Sequence, residues 1–149
     1  MKKRNSDMKF YSYVLLLAFT TIQATSCSKT KGSSSNDDHH PVNENDTTMP
    51  VIRIDRPAAG QVFANGDTVK IEGVVTDNSL YQGKIKIIND GNGLLVNEKN
   101  YNVHNQQSVN YSLQHKTSVS VITDYTITIE FEDHGLNKAV QTVRVKVTP

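Results

Sequence analysis

The chain has 149 residues, a length that holds one domain, with 36% hydrophobic and 21% charged residues, no tryptophan and one cysteine. A single cysteine excludes an intramolecular disulfide. The 16 basic and 15 acidic residues nearly cancel. Residues 1–26 hold Lys2, Lys3, Arg4, Lys9 and Asp7, which leaves 12 basic against 14 acidic residues in the remainder. That balance gives no electrostatic reason to expect nucleic acid or an anionic membrane face as partner.

Residues 1–26 have the layout of a cleavable export signal: a positive start, an apolar stretch over residues 10–19, then small and polar residues. A membrane-spanning helix needs about 20 consecutive apolar residues, roughly twice what stands here. Met8 opens a shorter leader with the same apolar stretch, so translation has two candidate starts, Met1 and Met8. The residues Ala24-Thr25-Ser26-Cys27 resemble the lipobox of bacterial lipoproteins, with alanine where that family usually has leucine. The resemblance implies a diacylglycerol thioether on Cys27 and an acyl group on its new amine. More than one chain makes a lasting anchor, because each buried CH₂ contributes about 0.8 kcal/mol. Ser28 resembles the residue that accompanies outer-membrane sorting, which implies an outer-membrane lipoprotein on the periplasmic or the surface side.

Residues 27–49 form the lipidated cysteine and a linker. Rich in Ser, Asn, Asp and Thr, the linker holds too little apolar surface to offset the entropy of ordering. As a coil, its 22 residues span roughly 26 Å. Asp37-Asp38-His39-His40 lies inside it, and metal ligation needs a fixed geometry that a mobile segment lacks. Solvated linker is the expectation there.

From Val51 the hydrophobicity alternates with period two, as in half-buried strands. Six runs show it, centred on 52–54, 69–75, 85–87, 109–113, 125–131 and 143–147, with a weaker pair at 94–96 and 101–103. Turn residues separate them: Ala58-Ala59-Gly60, Asn65-Gly66-Asp67, Asp77-Asn78, residues 89–93 and residues 133–137. Pro57 has no N–H for a ladder and stops the first run. One face in and one face out on every run predicts an antiparallel two-sheet sandwich of about seven strands over residues 50–149.

Several segments resemble bacterial immunoglobulin-like and fibronectin-type domains. They are Pro50-Val51-Ile52-Arg53-Ile54-Asp55-Arg56-Pro57, Asn65-Gly66-Asp67-Thr68-Val69, Gly73-Val74-Val75-Thr76-Asp77-Asn78 and the run from Tyr125 through Phe131 to Asn137. The resemblance implies an all-β immunoglobulin-like β-sandwich and carries a fold further than an activity. In such sandwiches a tyrosine at the position of Tyr125 makes a corner hydrogen bond to backbone. The topology implies that the loops near Asp77, His104 and Asp133 share the end where the linker enters. Residues 60–65, 90–93 and 116–118 then lie at the opposite end.

The residues carry no nucleophile elbow, phosphate-binding glycine loop or zinc spacing, so neither an enzyme nor a cofactor is expected. His104, His115 and His134 are scattered over strands and loops and read as surface or edge residues. Asp77, Asn78, Asp133 and Asn137 are the candidates for calcium, which takes six to eight oxygens. Turn geometry accounts for all four, and no metal is expected. Tyr81 and Tyr101 have two readings, stacking on a sugar or packing at the core edge. The expected function is that of a membrane-anchored, non-catalytic envelope lipoprotein serving as a binding or spacer module. The alternative is a glycan-binding accessory protein of a polysaccharide-uptake system. Expected partners are the membrane, through the lipid on Cys27, and a protein or a glycan.

Overall fold

The computed structural model describes residues 42–149; the expected leader, Cys27 and most of the linker lie outside the described residues. Six strands follow one another: β1 Val51–Arg56, β2 Val62–Ala64, β3 Thr68–Asn89, β4 Leu95–Lys116, β5 Thr123–Asp133 and β6 Lys138–Thr148. No helix among the described residues is long and apolar enough to cross a membrane.

The two longest strands build the sandwich. Residues 68–76 of β3 pair antiparallel with β1 on one side and with residues 108–116 of β4 on the other. Residues 80–89 of β3 pair with 95–106 of β4 and with β5. β3 and β4 thus pass together from one layer to the other. Both bend in the same place, where the register slips around Leu80 and Asn105 takes a left-handed φ of 57°. A slipped register leaves a residue unpaired and sharpens the strand's twist, which turns the corner without a loop. β5 continues to β6, and β6 takes the short β2 in parallel.

Two sequence expectations change in detail. Residues 94–96 and 101–103 do not form a separate pair; 95–96 and 101–103 belong to one strand that runs on into 108–116, and Leu94 precedes it. Asp77-Asn78 is not a loop between strands but part of the bend inside β3.

Alternation places the core. Val69, Ile71, Val75, Ile85 and Ile87 of β3 point inward with Ile127, Ile129 and Phe131 of β5 and Val143, Val145 and Val147 of β6. Each such side chain contributes roughly 1.5–3 kcal/mol on full burial. Two glycines let aromatic rings cross the sheets. Gly73 faces Tyr111 across the ladder, and a Cβ there would run into Arg53 O and the Tyr111 hydroxyl. Gly83 faces Phe131, whose ring occupies the space a Cβ would need. The Phe131 ring lies 5.7 Å from those of both Tyr101 and Tyr111, so one aromatic row bridges the layers.

The tyrosine-to-backbone bond comes from a different residue than the sequence suggests. Tyr111 Oη donates to Arg53 O at 2.8 Å, tying β4 to β1 across Gly73. Burial pushes this hydroxyl up to about 12, so it stays a donor at ordinary pH. Tyr125 is buried, meets His115 edge-on at 5.8 Å and makes no corner bond among the described residues. The same burial shifts the Tyr125 hydroxyl upward and the His115 imidazole downward.

Candidate functional site

The end of the sandwich at which the chain enters gathers the titratable groups. β5 finishes at Asp133, which is fully buried, and the turn to β6 passes through Leu136 in a left-handed conformation (φ 64°). That turn folds Asn137 back onto Asp133. The Asn137 N–H donates to Asp133 Oδ1 at 2.8 Å, and Asn137 Nδ2 donates to Asp133 Oδ2 at 2.9 Å.

The same Nδ2 donates to Asp46 O at 2.9 Å, reaching the segment that precedes the first strand. Asn43 N–H adds a bond to His134 O at 2.9 Å. Gly135 packs so closely beneath this segment that a Cβ would approach Asp46 O to 2.7 Å. The packed unit therefore begins before Pro50, with residues 43–46 fastened to the β5–β6 turn.

The bend in β3 brings in Asp77. Its Oδ1 accepts the Ser79 N–H at 2.8 Å, while Oδ2 is buried with no hydrogen-bond partner among the described residues. One carboxylate oxygen from each of Asp46, Asp77 and Asp133 lies within 4.8 Å of the others. Desolvation, then repulsion from Asp133 and Asp46, outweighs the Ser79 bond and raises the Asp77 pKa above its usual 3.8. Beside the carboxylates, the Tyr81 ring lies 4.7 Å from that of His104 and 5.1 Å from that of His134, and the two histidine rings are 5.4 Å apart.

Three carboxylates at this spacing can share a divalent cation or share protons. Much of their capacity is already used: both oxygens of Asp133 by Asn137, Oδ1 of Asp77 by Ser79 and Oδ1 of Asp46 by the Thr48 N–H at 3.0 Å. Asn137 presents its N–H₂, not its oxygen, to the Asp133 carboxylate and to the backbone carbonyl of Asp46. That amide supplies part of the positive field a cation would otherwise bring, and it makes the cluster a fastening for residues 43–46.

The fold just described has a counterpart among known domains. The bacterial Ig domain profile matches residues 50–145. The chain belongs to the bacterial Ig domain family. No curated protein matches it in sequence. Among solved structures, this bacterial Ig domain is similar to the CARDB domain of a Pyrococcus furiosus protein determined in complex with di-metal ions, at 13% identity and a TM-score of 0.42. That match covers 67% of this chain and 86% of the other. An engineered protein matches at 16% identity and a TM-score of 0.45 over 68% of this chain, which spans about a fifth of that protein's length.

Within this Ig domain, two of the four calcium candidates, Asp77 and Asp133, come together with a third carboxylate, Asp46, that the sequence did not single out. Asn137 joins them through its amide nitrogen, and Asn78 is exposed and makes no side-chain bond to them. Asp46 sits in a polar run with no periodicity, which carries no signal of the cluster. Tyr81 is half-buried against the two histidines, and Tyr101 against Phe131. Two concave surfaces lie elsewhere. A cleft of about 450 Å³ at the opposite end is walled by Asp90, Asn92, Val121, Ile122 and Asp124. A polar groove of about 280 Å³ on the outer sheet face lies between Lys84, Asn100, Glu130, Glu132 and Lys138.

Proposed function

We propose that this bacterial Ig domain is the exposed part of an outer-membrane lipoprotein, held by lipid on Cys27 and acting as a non-catalytic binding or spacer module. One observation carries the reading: the order of an export-type leader, a small-residue run ending in a lone cysteine, a polar linker and then an Ig-like sandwich. The Ig-like fold supports a module that holds or binds rather than one that catalyses. A protein partner is favoured over a glycan, because sugar platforms use free aromatic faces and the rings of Tyr81 and Tyr101 pack against other rings. With the linker entering beside Asp46, the end carrying Asn65, Asp90 and Thr117 projects away from the membrane. The 11 residues of β6 make that projection about 35 Å.

The test is labelling of growing cells with an alkyne-bearing palmitate. The wild-type protein takes the label and sediments with the outer membrane; Cys27→Ala loses both. A Cys27→Ala protein that still takes the label and sediments with the outer membrane overturns the anchor.

A further inference from the structure

β4 has a strand on one side only. Along its whole length it pairs with β3, and no strand among the described residues lies on its other edge. Such an edge presents a row of outward N–H and C=O groups, a template on which another chain adds as a further strand. Residues 108–116 are well suited to that addition, since Val109, Tyr111 and Leu113 alternate with polar residues.

Part of this edge is already occupied, by side chains of the same strand. Tyr101 Oη donates to Ser112 O at 2.6 Å and accepts the Ser112 N–H at 2.8 Å. Lys99 Nζ donates to the same carbonyl at 3.0 Å, and Asn97 Nδ2 donates to Gln114 O at 3.2 Å. Residues 97, 99 and 101 share one face of the first half of β4, and 112 and 114 are alternate residues of its second half. In an antiparallel ladder, alternate residues turn both backbone groups to the same side. Ser112 therefore directs its N–H and C=O away from β3, and a residue of an added strand would exchange a bond with each. The Tyr101 hydroxyl does the same with one oxygen. Its ring is fixed by Phe131 beneath at 5.7 Å and by Lys99 Nζ, 4.8 Å from the ring centre.

We propose that Asn97, Lys99 and Tyr101 form a side-chain seal on the outer edge of β4 that blocks strand addition at Ser112 and Gln114 by a second copy of this chain. The seal explains why the bend at Asn105 matters beyond topology. By sending the two halves of β4 into opposite layers, it sets the face of one half over the edge of the other.

Tyr101→Phe keeps the ring and removes the hydroxyl. In amide exchange followed by NMR, the Ser112 N–H of the intact protein is protected although no strand covers it. In Tyr101→Phe it exchanges about tenfold faster or more, while the amides of Ile71 and Ile129 are unchanged. The triple variant Asn97→Ala/Lys99→Ala/Tyr101→Phe goes further and self-associates at millimolar concentration in sedimentation, where the wild type stays monomeric. An unchanged Ser112 exchange rate in Tyr101→Phe overturns the seal. So does a folded triple variant that remains monomeric. Should the triple variant not fold, the Ser112 rate alone decides.

Discussion

The two ends of the sandwich are each closed by one polar side chain that reaches backbone on another element, yet they differ in charge. At the far end the buried Thr117 hydroxyl lies within 3.0 Å of the carbonyls of Ala64 and Asp67, joining the β4–β5 connection to the β2–β3 turn. Two carboxylates there stand beside cations, Asp90 with Arg144 and Asp124 with Lys146, and a third, Asp67, accepts the Ala64 N–H at 2.8 Å. At the entry end Asn137 plays the closing part, but over three carboxylates that no lysine or arginine pairs with among the described residues. A neutral clasp only holds. At the entry end, where burial raises the Asp77 pKa, stability depends on pH, and the clasp holds the segment leading to the proposed anchor.

Four substitutions sharpen that difference, from the largest effect to the smallest. Gly83→Ala attacks the core to which both ends are attached. The methyl meets the Phe131 ring, and chemical denaturation should show a loss of about 3 kcal/mol or more. Asn137→Ala strips the amide from the entry end and leaves a buried Asp133 oxygen without its donor. The expected cost is about 2–3 kcal/mol, with residues 43–46 becoming open to proteolysis. Thr117→Val at the far end should cost less, about 1–2 kcal/mol, and leave the entry segment protected. Equal exposure of residues 43–46 in both variants would erase the distinction between the ends.

Asp77→Asn has the smallest effect and the opposite sign. The folded-state pKa of Asp77 lies above its usual 3.8, so its contribution to stability is fully present below that value and is lost as pH rises through the raised pKa. Asparagine keeps the oxygen that accepts from Ser79 and puts a donor beside the other carboxylates. Scanning calorimetry should find the variant more stable at pH 7, by no more than about 3 °C, with the gap closing towards pH 4. A variant less stable at pH 7 would mean that the carboxylate has a cationic partner. Calcium follows the same logic. With Asn137 already supplying its amide, millimolar calcium should leave the melting temperature of the wild type unchanged.

The layers were legible because their signal is local. Tyr125, Ile127, Ile129 and Phe131 alternate with polar residues, and so do Val143, Val145 and Val147, since each strand has one buried and one wet face. The corners were not legible. Asp77-Asn78 has the composition of a turn, but the bend is made by a slipped register, which depends on what the partner strand does. The choice of Tyr111 over Tyr125 as the backbone donor has the same origin. It follows from Tyr111 lying opposite Gly73, a pairing fixed by register. β2 is three residues long, too short for a period. The carboxylate cluster was half legible, because Asp77 and Asp133 flank predicted turns while Asp46 joins them only through the folded entry segment.

The proposed lipid on Cys27 would anchor this Ig domain with its carboxylate end towards the bilayer. The proposed thioether would consume Cys27, the one cysteine of the sequence, and leave an introduced cysteine as the free thiol. Fluorophores placed on Asn78→Cys at the entry end and on Asn92→Cys at the far end can be compared in vesicles that carry a headgroup quencher. The proposed orientation gives stronger quenching at residue 78 than at residue 92. Equal or reversed quenching, or no association with the vesicles, would contradict it.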